Sequence, residues 1–365
     1  MSQILFLFIF IIFVFVSQLE ARDLHRIRFR SPYLYPEGLT YDPLFQHFIV
    51  ASSFNLLPNP TVNAVSDAGV TETLTLITSQ LPPDSTILGL SVDHRHRRLL
   101  AAVNSPSSPY LASFNLRRSS LDLDFLSPLL PSTGIANDVA FDAIGNAYVT
   151  NSDKNFIWKV DQNGVASVLS NSTLFRKYPV NETSPYSYCG LNGIAYVTTK
   201  EYLLAVQSNT GKMFKVDAVD GTARTVILPE DLPLADGIAV RDDGVVVVVS
   251  MNSAWFLKSD DSWAQAVLID KIALDKEGYA TSVTVGGGGR VYVVYGYVQE
   301  VLKGISQERE WFRIEEIKIR SKREKEEQEE SMLWPILLIG LGLGYFVFWK
   351  LQMSQFVNRM DRKRD

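Results

Sequence analysis

Residues Ile135–Val160 read IANDVAFDAIGNAYVTNSDKNFIWKV and contain the clearest structural pattern of the chain. It opens with the polar pair Asn137 and Asp138, and apolar residues then alternate with other residues as far as Phe141. Turn signals at 143–145 and 153–155 separate two further short strands. Alternation between turn signals predicts an antiparallel meander, and a single meander cannot bury its own faces. The pattern must therefore recur elsewhere in the chain.

The same phrase occurs six times along the chain when it is aligned on Asn137. Successive copies lie 44 to 55 residues apart. A period of about 40–50 residues with several short strands per unit is typical of a propeller blade. The sequence therefore predicts an all-β protein, a six-bladed β-propeller. The residues in register with Asn137 are Glu37, Leu88, Asn192, Asp236 and Thr281.

The predicted propeller spans residues 22–305, and different kinds of segment flank it. Leu24–Arg30 reads as a strand that joins the last blade and closes the ring, because an open ring would leave a sheet edge exposed. The apolar run Ile4–Val16 has the length of a signal peptide, and Ala21 is a plausible last residue before cleavage. The predicted remaining segments are a signal peptide at 1–21, a charged stalk at 306–331, a transmembrane helix at 332–349 and a cytosolic tail at 350–365. Within the stalk, Arg309–Ile319 reads either as a last strand or as the start of a helix.

The predicted helix Met332–Trp349 consists of eighteen uncharged, mostly apolar residues, which is enough to cross a bilayer. We expect a single-pass protein of the secretory pathway with a lumenal propeller. The span is short and Lys363 lies third from the C-terminus, as in a dibasic retrieval signal, so the endoplasmic reticulum is favoured over the plasma membrane or the vacuole. Gly340 and Gly344 form a GxxxG, the pattern of a helix dimer face.

Asn171 and Asn181 each begin an Asn-X-Ser/Thr sequon in a polar insertion before the fourth blade, which predicts glycosylation of both. The formal net charge of -5 and the lack of a concentrated basic face argue against a nucleic-acid partner. Cys189 is the one cysteine, so no internal disulfide forms.

The six register residues begin the innermost strands, which line the channel of a propeller, so we expect their side chains to converge near the axis. Four of them, Glu37, Asn137, Asn192 and Asp236, offer hard oxygen ligands with a formal charge of -2. That donor set matches Ca²⁺, with water in the remaining places, whereas Zn²⁺ prefers nitrogen or sulfur.

These motifs resemble the calcium-dependent six-bladed propellers of the senescence marker protein (SMP-30)/gluconolactonase, paraoxonase and squid-type phosphotriesterase group. Strictosidine-synthase-like proteins are similar more distantly. The resemblance covers about residues 36–296 and rests on PEG at Glu37, ND at Asn137, LNG at Asn192 and ADG at Asp236. It implies that those four residues hold a catalytic calcium ion.

Two departures from the group bear on the substrate. Gluconolactonase-like members carry an arginine where this chain has Ile135. The histidine dyad of the paraoxonases has no match among the four histidines, which are His25, His47, His94 and His96. The sequence therefore does not predict a sugar lactone as the substrate.

The favoured function is a membrane-tethered, calcium-dependent hydrolase of small lactones, esters or phosphoesters. Asp236 is the candidate base or nucleophile, and Asp138 is a second catalytic candidate or a residue that orients Asn137. Strict alternation along the strand predicts that Asp138 points away from Asn137. The alternatives are a non-catalytic binding module pinned by calcium and a condensing enzyme like strictosidine synthase.

Overall fold

The computed structural model describes residues 24–52, 60–74, 81–117, 121–183, 186–198, 200–304, 309–320 and 346–353. The predicted signal peptide and residues 332–345 of the predicted membrane helix lie outside these ranges. Within them, all but residues 319–320 and 346–353 fall in one compact unit that ends at Lys318. This unit consists of six four-stranded antiparallel sheets. The six-bladed β-propeller predicted from the repeats is confirmed.

Each blade is a meander in which sequential strands pair from the inside outward. The inner strand of every blade begins beside its register residue. The strands of blades one to three are β2 (Pro36–Asp42), β3 (His47–Ser52), β4 (Val62–Ser66), β5 (Thr71–Leu74), β6 (Thr86–Asp93), β7 (Arg98–Asn104), β8 (Pro109–Asn115), β9 (Asp122–Pro128), β10 (Ala136–Phe141), β11 (Ala147–Asn151), β12 (Phe156–Val160) and β13 (Ala166–Ser170).

Blades four to six follow the same order, with a one-turn 3-10 helix at Thr173–Arg176 in the insertion before blade four and a short helix, α1 (Val298–Leu302), inside blade six. Their strands are β14 (Leu191–Val197), β15 (Tyr202–Gln207), β16 (Met213–Asp217), β17 (Ala223–Thr225), β18 (Ala235–Val240), β19 (Val246–Ser250), β20 (Ser253–Lys258), β21 (Val267–Ala273), β22 (Ala280–Val285), β23 (Val291–Tyr295) and β24 (Trp311–Ile317).

The N-terminal strand β1 (Arg26–Arg30) closes the ring. It pairs antiparallel with β24 as the outermost strand of blade six. Closure by this segment agrees with the sequence prediction. The predicted domain boundary at residue 305 is too early, because β24 belongs to blade six and the propeller sheet continues to Ile317. The described part of the predicted stalk is therefore a propeller strand.

Every inner strand carries a β-bulge at its register residue. In each blade the pairing of the inner strand with the next strand slips by one residue at that point, for example between Ala136 and Val139 in blade three. The same slip occurs in the other five blades. A bulge places one extra residue on the strand and re-aims the side chains beside it. The alternation of faces is therefore interrupted where the six strands meet.

The position that follows the register residue is glycine in four of the six blades: Gly38, Gly89, Gly193 and Gly237. The backbone of the next blade occupies the space that a Cβ would fill. At Gly193 a Cβ would overlap the carbonyl oxygen of Asp236, and at Gly237 it would lie 2.8 Å from the Cα of Ser282. The inner strands can therefore approach closely around the axis only because these residues lack a side chain.

The apolar core lies between the blades. One cluster joins Ile49 and Val62 of blade one to Leu99 and Val103 of blade two, all without measurable exposure. Equivalent clusters join blades two and three, three and four, four and five, and six and one. Each blade therefore buries both of its faces against its neighbours, as the argument from the repeats requires.

Residues from Ile319 onward form a second unit, in which residues 346–353 are helical. None of the helices in the described residues has the length and apolar character that a membrane crossing needs. The prediction of a membrane helix at 332–349 falls mostly on residues outside the described ranges.

Replacing Gly193 by Ala should lower the free energy of unfolding by about 2–3 kcal/mol, since the new Cβ has no free space. A matched control is Gly244→Ala in a surface turn. Gly244 has φ +82° and nothing near its Cβ direction, so only backbone strain of about 1 kcal/mol is expected. Urea unfolding monitored by fluorescence measures both values. Equal losses in the two variants would contradict the close-approach argument.

Candidate functional site

Three cavities follow one another along the propeller axis. The upper mouth is a cavity of about 180 Å³ at the start of the inner strands, and its lining includes Glu37, Ile135 and Asp236. The lower mouth, about 240 Å³, is lined by later residues of the same six strands and by His94 and Arg95. A much smaller central cavity of about 10 Å³ lies at the bulges. It has room for a single water molecule or small ion.

The structure brings all four predicted ligands to the central cavity. Glu37, Asn137, Asn192 and Asp236 line it together with Asp138, Thr281 and Ser282. Leu88, which has no ligand atom, lines the upper mouth instead. Thr281 uses its hydroxyl to donate a hydrogen bond to the carbonyl oxygen of Pro36 at 3.0 Å, which links blade six to blade one. The convergence expected from the register is therefore present in the fold.

The hydrogen bonds around Asn192 fix the orientation of its amide. The Ser208 hydroxyl donates to the carbonyl oxygen of Ala235 at 2.6 Å, so it accepts from Nδ2 of Asn192 at 3.0 Å. The Asn192 side chain also hydrogen-bonds the carboxylate of Asp236. Because Nδ2 is used in this way, Oδ1 of Asn192 remains available as a ligand atom.

Two other side chains at the cavity lack polar partners. Asn137 is only 8% exposed, yet no hydrogen bond within the described part of the chain engages its amide. Glu37 likewise accepts no hydrogen bond and forms no ion pair with any described residue. An amide and a carboxylate without protein donors or counter-charges keep their oxygen atoms free to coordinate a cation.

Asp138 occupies the position that is glycine in four other blades. Its Oδ1 accepts from the backbone N–H of Val139 at 2.8 Å, and its Oδ2 accepts from Ile194 of the next blade at 3.1 Å. Asn137 and Asp138 both line the central cavity, where the bulge interrupts the alternation, but Asn137 also lines the upper mouth and Asp138 the lower mouth. Gly89 makes this arrangement feasible, since a Cβ there would overlap the Asp138 carboxylate.

The three carboxyl groups are partly buried and lie close enough for their charges to affect one another. Burial, and then the charge of Asp138, raises the pKa of Glu37 to about 7. Burial raises the pKa of Asp138 to about 7, although its two backbone N–H bonds act in the opposite direction. Burial, followed by the charges of Glu37 and Asp138, raises the pKa of Asp236. A cation on the axis would relieve this repulsion.

A metal at this position requires amide ligands. Among the described residues, no three His, Cys, Asp or Glu side chains are grouped at metal-ligand spacing. A cation coordinated here would therefore bind the amide oxygens of Asn137 and Asn192 beside the carboxylates of Glu37 and Asp236. Such an all-oxygen set with two charges suits Ca²⁺, and the single-ion size of the central cavity agrees with it.

The upper mouth contains residues that the register did not reveal. Tyr186 and Tyr188 come from the insertion before blade four, and Tyr279 lies two residues before Thr281. Cys189 also lines this mouth, and burial raises the pKa of its thiol to about 11, so it stays protonated. The tyrosines in the insertion Asn171–Gly190 were a visible signal, but nothing in the repeat fixes where an insertion folds.

The four histidines lie away from the upper mouth and the central cavity. His94 lines the lower mouth, and His96 approaches the carboxylate of Asp93, with Nδ1 and Oδ2 2.7 Å apart. His25 lies beside Tyr292, and His47 stacks against Phe45. The turn 94–97 between β6 and β7 is thus a hairpin tip, as its charged sequence suggests.

Fold and site together define a six-bladed propeller with an acidic, oxygen-lined centre on its axis. No known protein-family model and no curated protein sequence matches the chain. Solved structures do resemble it. The major allergen Mala s 1 of Malassezia sympodialis superposes with a TM-score of 0.66 at 17% identity, covering 82% of this chain and 97% of the allergen.

Two enzymes are also similar in structure. A gluconolactonase from Xanthomonas campestris gives a TM-score of 0.55 at 13% identity and covers 83% of this chain and 93% of its own. A streptogramin B lyase gives a TM-score of 0.55 at 12% identity, with 80% and 98% covered. The resemblance to gluconolactonase-like six-bladed propellers, inferred from the motifs, is confirmed for the fold. At these identities the likeness establishes the fold alone.

The raised pKa values predict how stability depends on pH without a metal. Between about pH 4.5 and pH 7 the folded protein holds protons on Glu37 and Asp138 that the unfolded chain has released. The free energy of unfolding in chelator should therefore fall as pH rises through this window. Glu37→Gln should flatten the fall and raise the melting temperature at pH 8. Thermal melts from pH 5 to 8 test this.

The exposed Glu277→Gln variant is the control for the pH series. Its melting temperatures should follow those of the unmodified protein at every pH. An unmodified protein whose melting temperature rises steadily from pH 5 to pH 7.5 in chelator would contradict the proposed repulsion among the axial carboxylates.

Proposed function

We propose that this protein is a calcium-dependent hydrolase of small lactones, esters or phosphoesters with its centre on the propeller axis. The observation that carries the proposal is the set of unpartnered oxygen atoms of Glu37, Asn137 and Asn192 around a cavity of single-ion size. The ion would be held by these residues and Asp236. When bound, it supplies a Lewis acid that polarises a carbonyl or phosphoryl oxygen.

The position of each residue indicates its catalytic or positioning role in this proposal. Asp236 lines both the central cavity and the upper mouth, so its carboxylate reaches the place where a substrate enters. This position suits a general base acting on a water molecule beside the ion. Leu88, Ile135 and Leu234 contribute an apolar part of the lining beside that position.

Asp138 has a different role in this proposal. Both of its oxygens accept backbone N–H groups, and the backbone N–H of Asp138 itself donates to Thr150 Oγ1 at 3.1 Å. The Thr150 hydroxyl donates to the carbonyl oxygen of Asn192 at 2.6 Å. Asp138 therefore positions the inner strands of blades three and four and acts through Asn137 and Asn192, whereas Asp236 is the candidate catalytic residue.

Calcium should stabilise the folded protein, because only the folded state assembles the ligands. At a calcium concentration one hundred times the Kd, the gain is about 2.7 kcal/mol, or roughly 5 °C in melting temperature. Glu37→Gln should remove this gain. Asp236→Asn should lower kcat/KM on a panel of lactones, esters and phosphotriesters at least about a hundredfold, and Asp138→Asn should lower it less.

The measurements are thermal melts in calcium and in chelator, together with initial rates on the panel. Identical melting curves in calcium and chelator would refute the metal site. A calcium-dependent melting temperature without turnover of any panel member would leave the binding-module function in place of the hydrolase. Equal kcat/KM for Asp236→Asn and the unmodified protein would remove Asp236 from the chemistry.

We also propose that the propeller lies in the lumen of the endoplasmic reticulum, tethered by residues 332–349. Eighteen uncharged residues, the preceding apolar run at 4–16 and the terminal Arg362–Asp365 support this location. Both sequon asparagines are exposed at the propeller surface, which suits glycan attachment. The Asn181 Oδ1 accepts from the backbone N–H and the hydroxyl of Thr183, the third sequon residue.

Glycans at Asn171 and Asn181 should stay sensitive to endoglycosidase H in the unmodified protein. Lys363→Ser should let part of the protein reach the cell surface, whereas Lys350→Ser, which changes a basic residue beside the span, should not. Gel mobility after digestion and surface biotinylation measure the two effects. Resistant glycans on the unmodified protein would refute retention, and absence of glycans would refute the lumenal orientation.

A further inference from the structure

Three tyrosines line the upper mouth above the axial carboxylates. The ring centroids of Tyr186 and Tyr279 lie 5.9 Å apart with their planes inclined by 57°. Tyr188 lines the same cavity and is 61% exposed. Aromatic residues on several sides of one small cavity resemble the cages that bind organic cations through the faces of the rings.

The charged side chains that line the described part of this cavity are all acidic. Glu37 and Asp236 line it, and among the described lining residues there is no Lys, Arg or His. Asn137, nine-tenths buried and without a hydrogen-bond partner in the described chain, points to the same space. An anionic group would meet carboxylates with no counter-charge, whereas a positive group would gain from them.

A metal on the axis does not reverse this sign. The three carboxylates Glu37, Asp138 and Asp236 carry three negative charges when ionised, and a divalent cation cancels two of them. The third carboxylate, Asp138, lines the central cavity and the lower mouth, so a bound divalent cation leaves the upper mouth without a net positive charge. The cavity of about 180 Å³ is also far larger than a metal ion needs, and it fits a small organic molecule.

The backbone of this mouth is held in an unfavourable conformation. Leu234 and Tyr279, which both line the cavity, have φ values of +57° and +55°. Side chains with a Cβ avoid this region unless the surrounding structure imposes it, and such residues concentrate at ligand sites. Tyr279 is held by a hydrogen bond from the N–H of Gly296 to its carbonyl oxygen at 2.9 Å. The backbone conformation and this hydrogen bond therefore fix the position of Tyr279 in the cavity wall.

We propose that the upper mouth binds a small organic cation, a quaternary ammonium or protonated tertiary amine, through Tyr186, Tyr188 and Tyr279. This inference deepens the proposed hydrolase function and rests on it for the chemistry, because it gives the substrate class as esters or lactones that carry such a group. The ammonium group lies among the tyrosine rings, and the neutral acyl group reaches the axial carboxylates. Binding of the cation itself does not depend on turnover.

The test compares choline with 3,3-dimethylbutan-1-ol, an uncharged molecule of the same shape. The full chain, purified in dodecylmaltoside micelles, is titrated with each compound by calorimetry, once in calcium and once in chelator. Choline should bind with a Kd about tenfold lower than that of the alcohol in both conditions. A ratio near one in both conditions would overturn the proposal, because only the charge differs between the probes.

Two variants link the ratio to the tyrosines. Tyr188→Leu and Tyr186→Leu remove one ring face each, and we expect each to reduce the choline preference severalfold without changing the melting temperature. Tyr188→Phe keeps the face and should keep the preference. An unchanged preference in both leucine variants would overturn the proposal. Failure of the hydrolase function is separate, since it would appear as absent turnover while the choline preference persists.

Discussion

The six inner strands approach one another closely around a single axis, and this packing determines both the ring and the site at its centre. Each strand meets the backbone of the next blade at its bulge, so four of the six positions after the register residue are glycine. Another of these positions is Asp138, whose carboxylate accepts a hydrogen bond from the N–H of Ile194 in the neighbouring blade. The bulge turns two successive residues toward the axis, and the closely packed strands leave no room for further side chains beside them. The same packing of the inner strands therefore closes the ring and assembles the site.

The ring is also fixed by hydrogen bonds between adjacent blades. Asn104 of blade two donates to the carbonyl oxygen of Ala136 at 2.8 Å and accepts from its N–H at 2.9 Å. Thr150, Ser208 and Thr281 form the corresponding bonds at other blade junctions. Because these bonds end on the backbone beside the register residues, they set the positions of Glu37, Asn137, Asn192 and Asp236 directly. The axial site is rigid for the same reason that the ring is closed.

The sequence predicts the fold well because the blade is a repeated local pattern. A strand, a turn and a register residue recur every 44 to 55 residues, and closure by β1 follows from the cost of an open edge. The four axial residues follow from register alone. The direction of Asp138 does not, because a bulge is a property of strand pairing and leaves only a weak trace, the glycine after the register residue. The sequence left the end of blade six open between a strand and a helix, since Trp311–Ile317 is separated from β23 by an insertion and merges with a charged segment.

Different physical constraints therefore determine the two halves of the candidate site, the central cavity and the upper mouth. At the axis, backbone geometry fixes where a side chain points, and the choice of Glu37, Asn137, Asn192 and Asp236 determines only which atoms meet there. At the upper mouth, the insertion carrying Tyr186 and Tyr188 has no counterpart in the repeat, so its composition can vary without loss of the ring. Chemistry at the centre of a propeller can thus stay the same while the accepted molecule changes. An axial metal alone would also attract anionic compounds. In this chain, the described lining of the upper mouth contains three tyrosines and no positive group, so it favours an organic cation over an anion.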